Sequence, residues 1–311
     1  MSATIMFRVR SLIMALVGLT VASVALADGS GAGPIFAITE ENDLFIWPLG
    51  PKSDRHYTQG LKLTYFAGED EMRRSAEWWN THLPAVAFPK DNSQTRVGFA
   101  FGQNMYTPQN IAARNPSPRD QPYCAWLYLG AMFQRRGIGA NDIPVMEHFE
   151  MDLGLIGPPA LGEQAQKFVH RYVSGSVQPE GWDYQLQSEP ALLMKYNRAW
   201  RLTPVKAAEK NLDLIPHVGI NLGNVRVSGE VGTMLRAGWN LPDDFGITTI
   251  NSTAGNTGGL TAQSPSCGAH VFAGAKGEVI GQDIFLEGNT GRASRSVTPE
   301  PMIDRKSTRL N

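Results

Sequence analysis

Cysteine, excess charge and long apolar segments are all scarce in this chain of 311 residues. Lysine and arginine number 28 against 29 aspartate and glutamate, so the formal net charge is −1. Such a balance provides no strong basic field and argues against a nucleic acid partner. The two cysteines, Cys124 and Cys267, would be able to pair in an oxidising compartment, but free thiols are an equally good reading because sequence separation does not fix their distance.

No apolar run after residue 28 approaches the roughly 18 residues that a membrane-spanning helix needs. One apolar run precedes that point: residues 11–26 follow two arginines, and the run ends in Ala25-Leu26-Ala27. This small-x-small ending predicts a signal peptide over residues 1–27 and a mature chain that begins at Asp28, outside the inner membrane. An N-terminal anchor helix is the alternative, but the run is short for a span. Any later membrane contact must therefore come from strands or from the surface.

Long segments of alternating polar and apolar residues dominate the rest of the chain and predict strands. In residues 147–156, for example, Met151 and Leu153 alternate with Glu150, Asp152 and Gly154. The candidate strands, about nine in number, are residues 35–45, 57–68, 95–106, 126–134, 147–156, 184–200, 214–222, 225–239 and 269–285. Alternation alone does not distinguish a soluble sandwich, with its apolar face inside, from a membrane barrel, with its apolar face outside.

Three features favour a transmembrane antiparallel β-barrel over a secreted sandwich. The candidate strands run to about 10 to 13 residues, roughly twice the globular average. Aromatic residues stand near strand ends, as belts at a bilayer interface do, and a signal peptide precedes them. These aromatic residues are Tyr123, Trp126, Trp182, Tyr184, Trp200 and Trp239. The predicted location is the bacterial outer membrane.

The end of the chain departs from the strand pattern. A closed single-chain barrel of this kind needs an even number of strands, so at least one strand is unaccounted for. Residues 28–290 are predicted to form the barrel domain, whereas residues 291–311 lack alternation and are predicted to be an irregular tail. The expectation is a barrel truncated at its C-terminus, with a disordered tail on a complete barrel as the alternative.

One helical segment interrupts the strands at residues 157–172. Two prolines stop the preceding strand, and a run of good helix formers follows and ends before Gly175. Gln166 and His170 are four residues apart, so both side chains project from one face of the helix. A lone histidine on a loop helix more often faces water than catalyses. A polar pair beside a wall of strands, however, is suited to a catalytic site, with His170 as its candidate base.

Several ordered motifs between residues 35 and 290 carry a family resemblance. They are residues 41–45, 54–61, 102–108, 122–128, 157–172, 181–185, 236–242 and 285–290. In these motifs the chain resembles the outer-membrane lipid A 3'-O-deacylases. It departs from them at Gln121, where the motif often has arginine, at Cys124-Ala125, where Ala-Gly is more usual, and in the tail, which lacks recognisable final strands. The resemblance implies a twelve-stranded barrel with a short extracellular helix. It also implies calcium-dependent removal of an acyloxyacyl group from lipid A in the outer leaflet.

The resemblance also implies roles for five residues. His170 would activate the attacking water, because histidine titrates close to working pH, and Gln166 would position the water or the imidazole ring. The asparagine-aspartate pair of the family falls on Asn42 and Asp43, and its strand hydroxyl falls on Thr58. Asp43 is the most plausible charged ligand of Ca²⁺, with Asn42 and Thr58 supplying neutral oxygens or orienting hydrogen bonds.

The expected topology brings these residues to one side of the membrane. If the N-terminus is periplasmic, Asn42, Thr58 and the helix all reach the outer rim, where lipopolysaccharide resides. The expected partners are lipid A and outer-membrane lipids, and the expected state is a monomer. A passive pore or adhesin barrel is the alternative from another class. An outer-membrane phospholipase would need a serine nucleophile, which no motif places. His56 and the hydroxyl of Thr58 could imitate the histidine–hydroxyl pair of such lipases, but their position next to a turn favours a solvated loop.

Overall fold

The computed structural model describes residues 20–27, 33–42, 56–68, 71–82, 93–203, 210–246, 250, 268–297 and 302–310. In these residues the chain forms an eleven-stranded antiparallel sheet whose strands follow one another in sequence order. The strands are β1 (Thr20–Ala27), β2 (Ile35–Asn42), β3 (His56–Phe66), β4 (Gln94–Thr107), β5 (Cys124–Ile138), β6 (Pro144–Ile156), β7 (Glu189–Trp200), β8 (Leu212–Gly223), β9 (Arg226–Trp239), β10 (Ala269–Asp283) and β11 (Met302–Leu310).

Three α-helices occur in the same part of the chain: α1 (Arg73–His82), α2 (Gly162–Val169) and α3 (Ile284–Glu287). Helix α2 continues into a π-helix at His170–Ser174, and short 3₁₀ turns lie at Ala140–Asp142, Pro158–Ala160 and Trp182–Tyr184. No described helix is both long and apolar enough to cross a membrane.

The sheet is curled, so that strands distant in the sheet order face each other. Tyr106 of β4 stacks on Phe285, which follows β10, with ring centroids 3.8 Å apart. Six steps of the sheet order separate these two strands. The predicted fold class, an antiparallel all-β barrel with a short helix, is confirmed; the structure describes eleven strands where the family resemblance implies twelve.

The two faces of the sheet have opposite polarity to those of a soluble protein. Glu150 and Asp152 of β6 are buried on the inner face, whereas Leu153 and Leu155 of the same strand are exposed at 54% and 45%. The same contrast separates buried Lys62 on β3 from exposed residues on its other face. Because alternation carries polar residues inward and apolar residues outward, the outer face of the sheet is suited to contact lipid.

Ion pairs cross-link the buried interior. The ammonium group of Lys62 donates to both carboxylate oxygens of Glu150 at 2.7 Å. Lys195 of β7 reaches Asp152 at 2.8 Å and Glu150 at 3.3 Å. Buried charges are costly unless they are paired, and here each carboxylate has an ammonium neighbour. These ion pairs adjoin an aromatic cluster, since Lys195 Nζ lies 5.9 Å from the ring centroid of Trp126, which is buried with Tyr106 and Phe285.

The structure corrects several boundaries. Tyr184 lies in a 3₁₀ turn rather than in a strand, and β10 ends at Asp283 because its carboxylate caps α3 by accepting a hydrogen bond from the amide of Phe285 at 3.0 Å. Helix α1, in the connection from β3 to β4, was not predicted. The irregular tail predicted at residues 291–311 is wrong for Met302–Leu310, which pairs with β10 as β11. Pairing gives the backbone groups at the edge of β10 hydrogen-bond partners, and this favours a strand although the tail lacks alternation.

The predicted leader also contributes a strand. Thr20–Ala27 pairs with β2 in antiparallel register, from Thr20 opposite Asn42 to Ala27 opposite Ile35. Removal of residues 1–27 as a signal peptide stays a prediction, and the strand belongs to the uncleaved chain.

Candidate active site

Strands β2, β4 and β6 end at one edge of the sheet, where β3, β5 and β7 begin; this edge is called the rim. The helical segment leaves β6 at the rim and folds back against the outer face of β4 and β5. Two hydrogen bonds fix its start: the amide of Gly157 donates to the carbonyl of Ala125 at 3.0 Å, and Gln103 Nε2 donates to the carbonyl of Ala160 at 2.6 Å. Helix α2 is therefore held against the wall rather than projecting from it.

A glycine permits the close approach of α2 to the wall. A Cβ atom on Gly162 would lie 2.4 Å from the Cβ of Ala125 and 2.7 Å from Cη2 of Trp182. Both distances are shorter than any tolerated carbon–carbon contact, so a side chain at this position would push the first turn of the helix outward. The helix buries Gly162 and Gln166, which are one turn apart.

Gln166 has its orientation fixed by a tryptophan. The indole Nε1 of Trp182 donates to Gln166 Oε1 at 2.8 Å, and both side chains are 1% exposed. Since an indole N–H only donates, the carbonyl oxygen of the amide must face Trp182, which turns the NH₂ group elsewhere as a donor. Trp182 in turn packs on Tyr123 at a centroid distance of 4.8 Å, and the Tyr123 hydroxyl donates to the carbonyl of Ile111 at 3.0 Å.

His170 has its tautomer fixed by the backbone. Its Nδ1 lies 2.6 Å from the carbonyl oxygen of Val177, which can only accept, so Nδ1 carries the proton. In the neutral ring Nε2 is then the accepting nitrogen, which is the one able to take a proton. His170 is 5% exposed and begins the π-helical turn, a deviation that often marks functional sites. The turn ends at Gly175 in the left-handed conformation at φ 63°, as the predicted helix end requires.

Thr58 reaches the rim through a β-bulge. The register of β3 with β4 shifts between Tyr57 and Gln59, which leaves Thr58 as the extra residue. Its Oγ1 lies 2.6 Å from Oγ1 of Thr107 at the end of β4, and both side chains are buried. Asn42 is the last residue of β2 and stands opposite Gln59 in the register. The backbone thus brings Asn42 and Thr58 next to each other at the rim.

Strand β4 joins the two halves of the site. Thr107, which contacts Thr58, follows Met105 by two residues, or about 7 Å along a strand. Met105 packs in the same buried cluster as Trp182, whose indole holds Gln166. Thr58 and the Gln166–His170 helix therefore border one patch of the outer face of the wall. Asp43 lies outside the described residues, and its predicted role stays a prediction.

Sequence reasoning missed the residues that hold this site together: Gln103, Thr107, Tyr123 and Trp182. Tyr123, Trp126 and Trp182 were interpreted as aromatic residues of a bilayer belt, which is wrong, because each is at most 2% exposed. Trp239, by contrast, is 61% exposed. The motif at residues 181–185 was the available signal, but only the packing of the helix on the wall turns its tryptophan into a support for Gln166.

The oxygen ligands at the rim are of the kind that Ca²⁺ prefers, although few of them lie in the described residues. In the described ranges no group of three or more histidine, cysteine, aspartate or glutamate side chains is placed to hold a metal ion. At the rim, the buried hydroxyl oxygens of Thr58 and Thr107 lie 2.6 Å apart beside the end of β2, where Asn42 is followed directly by Asp43. A site with these oxygen donors fits a hard cation.

The wall of the barrel is apolar on its outer face, and a polar pair is buried there beneath the helix at the rim. These features define the class of protein as a membrane β-barrel with a candidate site on its outer surface. A family model described as outer membrane protein LpxR matches residues 12–307. The chain belongs to this LpxR family of outer membrane proteins, which confirms the resemblance carried by the motifs and places the chain in the outer membrane.

Among solved structures, LpxR from Salmonella typhimurium is similar in fold. It aligns with a TM-score of 0.59 at 19% sequence identity, over 82% of this chain and 77% of that chain. No curated protein sequence matches this chain.

Proposed function

We propose that this protein is a lipid A 3'-O-deacylase. It would hydrolyse the 3'-linked acyloxyacyl ester of lipid A in the outer leaflet, with calcium as cofactor and lipopolysaccharide as substrate. The observation that carries this proposal is the burial of Gln166 and His170 between a helix and the lipid-facing side of the wall. A hydrolytic pair in the barrel interior would be out of reach of a lipid, whereas this pair lies on the outer face of the wall.

His170 is the proposed general base. With Nδ1 donating to Val177, Nε2 accepts a proton from water as the water oxygen attacks the ester carbonyl. The C–O bond to the sugar oxygen then breaks, and the proton on Nε2 passes to the departing alkoxide, which restores the neutral ring. General-base assistance of this kind is worth about 10² to 10⁴ in rate.

Gln166 is proposed to orient the reactants. Because its Oε1 accepts from Trp182, its NH₂ group is the donating part of the amide, and it would donate to the attacking water or to the carbonyl oxygen on which charge develops. A fixed amide costs no reorganisation at the moment of reaction. Its value therefore depends on the tryptophan that holds it.

Asn42, Asp43 and Thr58 are proposed to bind the cation. Asp43 would supply the negative charge, and Asn42 and Thr58 would supply neutral oxygens at the rim, where β2 ends beside the bulge of β3. Bound calcium would contribute positive charge that polarises the ester carbonyl. The remaining steps are performed by the side chains described above.

The test is mass spectrometry of lipid A from cells that express the protein in calcium-replete medium. The intact protein is expected to remove one acyloxyacyl group, and His170→Ala is expected to lower the rate by about 10² or more. His82→Ala is the matched control, since His82 is an exposed residue of α1 whose Nδ1 lies 2.8 Å from the carbonyl oxygen of Trp78 in the same helix.

Heat-modifiability on gels shows whether each variant has folded as a barrel. Unchanged lipid A with the folded intact protein would refute the enzyme and favour a pore or adhesin barrel. Full activity in folded His170→Ala would refute the assigned base. In that case His56→Ala, which is expected to retain most activity, becomes the decisive variant.

A further inference from the structure

The helical segment has its polarity inverted relative to a helix that faces water. Its buried side carries Gln166 and His170, whereas its exposed residues include five large apolar ones beside Gln164, Lys167 and Arg171. These exposed residues, called the apolar patch, are Leu161 at 51%, Phe168 at 59%, Tyr172 at 68%, Val173 at 67% and Val177 at 62%. A surface helix in water shows the reverse arrangement. Phe168 and Tyr172 pack on each other with ring centroids 5.2 Å apart, and an exposed apolar patch of this kind marks a binding surface.

The apolar patch is continuous with the apolar outer face of the wall. Leu127 of β5 packs against the cluster beneath the helix, and Leu129, two residues or about 7 Å further along the strand, is 66% exposed. Phe101 of β4 and Leu155 of β6, which flank this part of β5, are each 45% exposed. Ala125 and Leu127 of the wall share one apolar cluster with Ala160 of the helical segment, so the apolar outer face of the wall leads directly to the helix.

The charges beside the patch agree with a lipid interface. The guanidinium of Arg171 lies 5.9 Å from the ring centroid of Tyr172, and Lys167 is paired with Glu163 at 2.5 Å. An arginine next to an exposed tyrosine is the pair found where acyl chains meet headgroups, because each side chain has an apolar body and a polar end. The cation also matches the anionic phosphates of the leaflet.

We propose that residues 161–177 are immersed in the outer leaflet, with the apolar patch among the acyl chains of lipopolysaccharide. The cleft between helix and wall then opens at the level of the acyl chains, so an ester enters it laterally from the bilayer. Immersion itself depends only on the patch; the lateral entry of substrate rests on the proposed deacylase function.

Spin labelling tests immersion without reference to activity. A nitroxide at Val173→Cys is compared with one at Arg114→Cys, both in a background with Cys124→Ala and Cys267→Ala, in vesicles that contain lipopolysaccharide. Arg114, with a side chain 89% exposed on the loop from β4 to β5, is the matched control on the same side of the barrel. At position 173 collisions with oxygen are expected to exceed those with an aqueous nickel chelate, and at position 114 the order is expected to reverse.

Two results would overturn immersion. Equal access of the nickel chelate to both positions would place the helix in water. Protection of position 173 from both reagents would show that protein covers the patch, and spin–spin broadening would identify a second copy as that protein.

A substitution tests the consequence for turnover. Phe168→Glu combined with Tyr172→Glu is expected to lower deacylation of lipopolysaccharide in vesicles at least tenfold while leaving deacylation in detergent micelles within about twofold, because micelles bring substrate to the cleft without a bilayer. Arg114→Glu should leave both rates unchanged. An equal loss in vesicles and micelles would assign the patch to folding of the site and refute lateral entry. An inactive intact protein would refute the proposed function alone, and the labels would still decide immersion.

Discussion

Trp182→Phe isolates the support of Gln166 from its chemistry. The substitution keeps an aromatic ring on Tyr123 but removes the N–H that donates to Gln166 Oε1 over 2.8 Å. A buried acceptor that loses its donor costs about 1 to 3 kcal/mol. If the Gln166 amide loses this free energy in its productive orientation, the activation barrier rises by the same amount. The kcat should then drop by about 5- to 150-fold, since 1.36 kcal/mol is a factor of ten.

A matched variant separates this effect from general loosening of the cluster. Tyr123→Phe also deletes one hydrogen bond from the same cluster, the 3.0 Å bond from its hydroxyl to the carbonyl of Ile111, but it does not touch Gln166. Its thermal stability should fall by a similar amount to that of Trp182→Phe. Its kcat should stay much closer to that of the intact protein.

The assay is release of the acyloxyacyl group from lipopolysaccharide in micelles at saturating calcium, with heat-modifiability measured on each variant. If Trp182 acts through Gln166, the double variant Trp182→Phe with Gln166→Ala should be no slower than Gln166→Ala alone. The reasoning fails if Trp182→Phe keeps kcat within about twofold of the intact protein. It also fails if the two single losses multiply in the double variant, because the residues would then act independently.

Three further substitutions address the cation, the interior and the bulge. Asp43→Asn should lower activity steeply and recover part of it at high calcium, because a neutral amide weakens the affinity for a dication; a calcium titration that shows equal loss at every concentration would give Asp43 another role. Lys62→Met removes the ammonium bonded to Glu150 at 2.7 Å but leaves Lys195 at 3.3 Å, so it should destabilise the barrel in urea unfolding from lipid by less than the roughly 3–5 kcal/mol of a fully unpaired buried charge, with partial recovery in Lys62→Met combined with Glu150→Leu. Thr107→Val removes the hydroxyl that lies 2.6 Å from Thr58 and should reduce activity several-fold with unchanged heat-modifiability, and an unaffected rate would show that the position of Thr58 does not matter.

Alternation predicted the strands well because the two faces of this sheet meet different surroundings throughout their length. The boundaries failed where a distant partner decides them. Strand β5 was predicted to end at Gln134, since two arginines and a glycine follow. Strand β5 continues to Ile138 because the guanidinium of Arg135 pairs with the buried carboxylate of Glu147 on β6. This ion pair supports backbone pairing between the two strands beyond Gln134.

The strand β11 shows the same limit in another form. Met302–Leu310 has no period-two pattern, and its assignment depends on the edge that β10 offers along Val271 to Val279. A local pattern cannot report such an edge. The helical segment was predicted more accurately because its limits are local: prolines before it and Gly175 after it.

The helix also shows what sequence spacing leaves undecided. A separation of four residues places Gln166 and His170 on one face, but it does not state whether that face turns to solvent or to the wall. Burial of both side chains shows that it turns to the wall, which leaves the apolar patch facing outward.

That orientation bears on how a hydrolase can act on a lipid. Ester hydrolysis needs water and an acyl chain at the same carbon, yet the two partition into different phases. In the proposed reaction, water would approach His170 from the rim, where β4 ends and Thr107 bonds to Thr58. The acyl chain would approach from the lipid-facing side of the wall, where Phe168 and Leu129 are exposed. A polar pair enclosed between a lipid-facing wall and an outwardly apolar helix lies where these two routes meet. In the proposed deacylase, the outward apolar side of the helix would let water and lipid reach the same ester at a membrane surface.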